Sequence, residues 1–161
     1  MPFSGSASLL PGLLVMGWSA ATMLLVPTAS WVALLVANVL ASAAILLAFS
    51  FLWGSLAFWA PRAAEEISSV ASGMLRTLMP FPLDGLGPIT LASLMSVLSV
   101  GFLAWFPTRV LLGLEAEATY YMATPLFAVA FWLFSAWVFN RGLKEYGRIG
   151  SQRYLSFGHR R

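Results

Sequence analysis

Few side chains in this chain could take part in catalysis or metal binding, and they are scattered along the sequence. Glu65 and Glu66 are adjacent, so a helix would place their carboxylates about 100° apart, which disfavours paired acid–base catalysis. His159 is the one histidine, and it lies near the C-terminus, where chains fray. The Gly85-Leu86-Gly87 turn lacks the Lys and the Ser or Thr of a phosphate-binding loop. The chain also has no Cys, which excludes disulfides and thiolate metal sites. Together these observations predict no enzyme, cofactor site or metal site.

Hydrophobicity defines the class of the protein. Hydrophobic residues make up 60% of the chain and charged residues 9%, with a mean hydropathy of +0.84. Soluble domains contain about 25% charged residues. Residues 1–60 contain no ionisable side chain, which leaves room for two bilayer crossings of about 20 residues each. We expect an integral membrane protein whose first hydrophobic block is retained, because residues 1–8 lack the Lys or Arg of a signal peptide.

Four hydrophobic blocks predict an all-α, polytopic membrane protein with one transmembrane domain over residues 1–161. The predicted spans are 9–26, 31–59, 89–112 and 124–140. Pro107 is expected to kink or end the third span, because proline removes a helical hydrogen bond.

The stretch from Pro61 to Pro88 is the only long polar break in the hydrophobic body. Apolar residues recur at helical spacing over 61–79, which predicts an amphipathic helix on the membrane surface, followed by a proline-glycine turn. The charged residues of this stretch are candidates for a partner contact or a hinge: Arg62, Glu65, Glu66, Arg76 and Asp84. For Glu65, Glu66 and Arg76, the simpler explanation is a solvated polar face of the helix.

Small residues recur along the second span at spacings of four and three. They place five alanines on one helix face: Ala33, Ala37, Ala41, Ala44 and Ala48. Because lipid tails are as apolar as leucine, a smooth face is useful where another helix packs closely, within the chain or in a dimer. The alternative is that alanine is simply common in such helices.

Two polar residues are candidates for a pathway or gate. Asn38 is the strongly polar amide inside a span, although an interhelical hydrogen bond would explain it. Arg109 follows Pro107, and it could line an external gate or extend to the lipid headgroups.

The C-terminal tail, 141–161, predicts the orientation. It carries six basic residues against one acid, Glu145: Arg141, Lys144, Arg148, Arg153, Arg160 and Arg161. Basic residues near span ends stay cytoplasmic, so four spans place both termini and residues 61–88 in the cytoplasm of a multi-pass cell-membrane protein. The connections near Pro27 and Glu115 are then external. Anionic lipid accounts for the basic charge, and we expect no nucleic-acid partner.

Four segments carry a resemblance to a known family. They are residues 56–59 (LAFW), 81–84 (FPLD), 101–113 (GFLAWFPTRVLLG) and 140–146 (NRGLKEY). In this order and spacing, residues 56–146 resemble the membrane subunits of type-2 ABC exporters, especially the multidrug or viologen branch.

This resemblance implies a permease subunit that dimerises with a second permease subunit and is driven by a separate cytoplasmic ABC ATPase. The cargo would be a small hydrophobic or cationic compound. Such subunits usually have six spans, and the resemblance implies that the first two are missing here, through truncation, a mis-assigned start or a split subunit. The alternative function is a non-transporting membrane scaffold or accessory subunit.

Overall fold

The computed structural model describes residues 9–22, 27–96, 98–115 and 117–157, and these form helices and turns. They divide into two compact units, Met1–Ala33 and Leu34–Arg161. The α-helices are α1 (Leu9–Thr22), α2 (Ala29–Gly54), α3 (Pro61–Leu78), α4 (Pro88–Ser96), α5 (Trp105–Leu111) and α6 (Ala123–Phe157). The 3-10 helices are Ser55–Phe58, Val100–Phe102 and Ala118–Met122.

Among the described residues, two helical stretches are long and apolar enough to cross a membrane. They are Ala29–Phe58 and Thr119–Arg148, each of 30 residues. At 1.5 Å per residue each is about 45 Å long, which exceeds the hydrocarbon core of about 30 Å. Pro88–Ser96 and Val100–Leu111 are joined at a sharp bend, and they would make a third span if the two pieces are counted as one. The predicted first span, 9–26, extends beyond the described part of α1, and the count of four spans stays a prediction.

In the second unit, α2 and α6 pack side by side and run parallel. The Phe51 ring lies 5.8 Å from Trp132 and 5.7 Å from Phe139, measured between ring centroids. Further along both helices, the Phe58 ring lies 5.3 Å from Phe139 and 6.1 Å from Tyr146. Later residues of α2 thus meet later residues of α6.

α3 turns back and packs antiparallel along α2. It begins at Pro61, which lacks only an amide proton that the first helical turn leaves unused. Ser68 Oγ donates a hydrogen bond to the Trp53 carbonyl oxygen at 3.2 Å. Further along, Leu75 is buried in the same apolar cluster as Ile45 of α2. The helix predicted over 61–79 is present, and its location on the membrane surface stays a prediction.

The predicted third span, 89–112, is broken. Pro88–Ser96 and Val100–Leu111 meet at 75°. Between them Ser99 adopts a left-handed backbone with φ of 56°, which ends the helical hydrogen-bond pattern. The prediction of a break at Pro107 is wrong, because this proline lies in the first turn of α5, where its missing amide proton costs nothing.

α6 continues well past the predicted end of the fourth span. It runs for 35 residues to Phe157, so most of the predicted basic tail is helical. Glu145 and Arg148 form an ion pair of 3.3 Å within it. His159 and the last arginines of the tail lie outside the described residues.

Candidate functional site

An ion cluster joins the loop after α3 to α5 and to the segment that follows α5. Arg109 donates through Nη1 to the Asp84 carboxylate and through Nε to Oε1 of Glu115, the latter at 2.7 Å. Trp105 Nε1 donates to the second carboxylate oxygen of Asp84 at 3.0 Å. The Arg109 guanidinium also lies 5.1 Å from the Trp105 ring centroid. This contact is a cation–π interaction.

Local packing positions the members of this cluster. Trp105 and Arg109 lie one turn apart on α5, so both point to the same side. The loop is anchored by Leu83, which is 2% exposed. Its methyl group lies close to Gly101, where an added Cβ would come within 2.8 Å of the Met95 side chain. Glycine at this position therefore allows the two halves of the broken helix to approach each other closely, with Leu83 of the loop in ordinary contact.

The cluster contains two carboxylates and one guanidinium, so its net charge is −1. The pKa of the Asp84 carboxyl lies below its usual value, chiefly because Trp105 donates a hydrogen bond to it and also because Arg109 is positively charged. All three charged side chains remain partly exposed to solvent.

A cavity of about 570 Å³ lies beside the ion cluster. Its walls come from the loop after α3, from α5 and from the chain just after α5, and they include Phe81, Pro82, Leu112 and Leu114. Apolar walls with a few charged groups suit the binding of a small amphipathic molecule. Within the described residues, no group of three His, Cys, Asp or Glu side chains could hold a metal ion.

The ends of the predicted third span meet at this cluster. Asp84 and Glu115 both bind Arg109, although a straight helix over 89–112 would hold its ends about 36 Å apart. The sequence predicts a kink or an end at Pro107, whereas the chain turns back before this residue. The physical reason is the bend at Ser99, which brings the chain back towards the loop after α3.

The other charged residues of the predicted partner contact do not join Asp84. Arg62, Glu65, Glu66 and Arg76 are exposed on α3, and none forms an ion pair with another described residue. Asp84 instead belongs with Arg109, which the sequence assigns to a gate or to the lipid headgroups.

The predicted alanine face is partly used for packing within the chain. Ala41 and Ala48 are buried in the core together with Ala128 of α6. Towards the start of α2 the two helices separate into a groove of about 380 Å³. Its walls include Ala37, Ala41 and Ala44 of α2 and Pro125 and Ala128 of α6. Ala33 and Ala37 are exposed.

Asn38 is buried, at 2% exposure. Its Nδ2 donates to the Leu34 carbonyl oxygen at 2.9 Å, within its own helix. The Asn38 side chain, which the sequence predicts to form a hydrogen bond to another helix, thus donates within its own helix. Because it is buried, it does not line an open path in this conformation.

Sequence reasoning missed a close contact at Gly142 of α6. An added Cβ at Gly142 of α6 would lie 2.4 Å from the Phe58 ring and 3.0 Å from that of Trp59. Glycine therefore lets the end of α2 pack directly against the α6 backbone. Residues 140–146 contain this glycine, but neither charge nor periodicity marks it as a contact.

The long apolar helices support an integral membrane protein. A family profile described as ABC-2 family transporter protein matches residues 2–150. The chain belongs to this family, and membership implies partnership with an ATPase. The match extends beyond residues 56–146, which carry the resemblance in sequence, and the absence of two spans stays a prediction. Comparisons with curated proteins and with solved structures give no match.

Proposed function

We propose that the chain is a multi-pass permease subunit of an ABC exporter, close to the multidrug or viologen branch, and that it moves a small amphipathic compound. The observation that carries the proposal is the family match over residues 2–150. The two long apolar helices supply the membrane domain that such a subunit needs. ATP hydrolysis by a separate cytoplasmic subunit supplies the energy.

The orientation follows from charge. The basic residues of α6 favour a cytoplasmic position for the end near Tyr146, and the Phe58 ring contacts Tyr146 at this end. The ion cluster lies towards the opposite end, because Phe106 of α5 contacts Tyr120 just before α6, with 6.1 Å between the ring centroids. α4 and α5 then form a re-entrant hairpin on the external side. Three acids against one arginine at this end agree with that assignment: Asp84, Glu115, Glu117 and Arg109.

The ATPase contact is assigned to the start of α3. Arg62, Glu65 and Glu66 are exposed and follow directly after Phe58, at the end where α6 becomes basic. They can therefore pair with a cytoplasmic protein of mixed surface charge. Asp84 lies at the other end and is not expected to contribute.

A second permease subunit is assigned to the exposed start of the alanine face. Ala37 is exposed beside the open groove between α2 and α6, so a helix from another subunit can approach closely there. Oxidation of the Ala37→Cys variant should give a disulfide-linked dimer. Lipid in the groove would instead leave the variant monomeric.

Affinity purification of the tagged chain from its native membrane in mild detergent tests the proposed function. We expect an ATP-hydrolysing subunit in the eluate, identified by mass spectrometry and by ATPase activity. The Glu65→Lys/Glu66→Lys variant should retain less of this subunit, while the matched change Asp84→Lys should retain as much as wild type.

Two results would contradict the proposal. A chain that is inserted and folded but retains no ATPase would favour the accessory-subunit alternative. Equal loss of the ATPase in both charge variants would remove the assignment of its contact to the start of α3.

A further inference from the structure

α3 has three distinct faces, although only one of them has a partner among the described residues. Ala64, Ala71 and Leu75 are buried on the side that packs against the apolar core. Ile67, Val70 and Met74 form an adjacent apolar face with exposures of 39%, 50% and 52%. This second face is suitable for lipid.

The third face is polar along the length of the helix. Glu66, Ser69, Gly73 and Arg76 follow one another at spacings of three and four, and all four are exposed. Residues at these spacings lie above one another on a helix. We call these four residues the polar stripe.

The position of Arg76 along α2 bears on whether the polar stripe lies on a membrane surface. Ser68 binds the Trp53 carbonyl, and the two helices run antiparallel. Arg76, eight residues further on, therefore lies opposite about residue 45 of α2. Its neighbour Leu75 and Ile45 both belong to the buried apolar core. That level is close to the middle of the apolar stretch Ala29–Phe58.

A guanidinium at this depth is costly in lipid, so such residues face water or another polar group. The buried face of α3 is already occupied, and the Ile67, Val70 and Met74 face is the one that fits lipid. The polar stripe, with two charges and a hydroxyl, therefore needs a wet environment.

We propose that α3 crosses the membrane beside α2 and that its polar stripe lines a water-filled pathway, with Arg76 as a fixed charge that pairs with an anionic group of the cargo. The inference rests on the proposed transport function. It also supplies the return crossing between α2 and α6, because parallel neighbouring spans require the chain to recross the membrane between them. The hairpin of α4 and α5 is then free to enter and leave on one side.

Cysteine accessibility tests the pathway, since the wild-type chain has no Cys. Single variants on the polar stripe, Ser69→Cys and Gly73→Cys, are compared with matched variants on the lipid-type face, Val70→Cys and Met74→Cys. We expect a water-soluble methanethiosulfonate to react at least about tenfold faster with the stripe variants, because the reactive thiolate forms in water. Two positions per face protect the comparison against one variant that fails to insert.

Equal slow reaction on both faces would show that the stripe is dry and would overturn the pathway. Equal fast reaction on both would place α3 on a membrane surface and overturn the crossing. Sidedness gives a second check on the crossing. An impermeant reagent added outside intact cells should label Gly87→Cys but not Glu65→Cys, and labelling of both or of neither would contradict it.

The charge of Arg76 is tested with an anionic and a cationic thiosulfonate on Gly73→Cys, one turn away. A unit charge at about 6 Å in water changes each rate about threefold in opposite directions, so Arg76→Gln should lower the anion-to-cation rate ratio about tenfold. An unchanged ratio would remove the anion-pairing role and leave a cationic cargo open. None of these readouts needs the ATPase, so the inference can fail while the proposed function stands.

Discussion

The two ends of the Leu34–Arg161 unit are held together by different physics. Near Tyr146, the end of α2 meets α6 through ring contacts and the close approach at Gly142. At the other end, Asp84, Arg109 and Glu115 connect a loop to a broken helix through charge. Packed contacts respond strongly to volume, whereas partly exposed ion pairs respond to pH and salt. The difference suggests a rigid contact at one end and an adjustable one at the other.

The largest expected effect comes from adding a methyl group at the packed end. Gly142→Ala should destabilise the protein by about 1–3 kcal/mol, because the new Cβ meets the Phe58 and Trp59 rings. Thermal unfolding in detergent, followed by Trp fluorescence, measures the change.

Gly147→Ala is the matched control for this change. It lies on the same helix with open space around its Cβ position, so it should leave stability unchanged or raise it by up to about 1 kcal/mol. Equal Tm values for the two variants would contradict the close contact.

At the charged end, Arg109→Gln should lower Tm by about 2–4 °C, which is a smaller effect than that of Gly142→Ala. The physical reason is that Asp84 and Glu115 lose their shared cation and then repel each other. High salt should reduce the difference from wild type. Arg62→Gln, an exposed arginine without an ion pair among the described residues, is the control and should behave like wild type.

The smallest expected effect is a pH dependence at Asp84. In the folded protein the pKa of the Asp84 carboxyl lies below its ordinary value of 3.8. The ionised carboxylate therefore stabilises the fold above pH 3.8, and this stabilisation is lost as the pH falls through the folded-state pKa. Asp84→Asn should therefore unfold at a lower temperature than wild type at pH 7, with the gap closing below about pH 3.8. Glu65→Gln should show no such gap. A difference for Asp84→Asn that persists at low pH would point to a shape effect.

The sequence predicts the parts of the fold that depend on local pattern. The long apolar stretch at 31–59 and the helix that begins at Pro61 both appear, because composition and proline position act within one helix. Pro107 misled the reading of the third span, since its effect depends on where the helix begins. The break at Ser99 has no comparable signal in residue type.

The candidate site could not be assembled from the sequence in the same way. Asp84 and Arg109 are 25 residues apart, so their pairing depends on the bend between them. The sequence pattern predicts α3 as a helix, but it does not predict that α3 contacts α2. A surface helix and a helix packed lengthwise share the same amphipathic period.

The proposed return crossing depends on the parallel packing of α2 and α6, and cross-linking tests this packing. In the Cys-free chain, the pair Phe58→Cys/Tyr146→Cys is treated with a short bifunctional maleimide, with Phe58→Cys/Phe127→Cys as the comparison. Parallel helices predict an intramolecular link in the first pair, seen as protection of both thiols from a later polyethylene-glycol maleimide. A link in the second pair only would show antiparallel helices and would contradict the account.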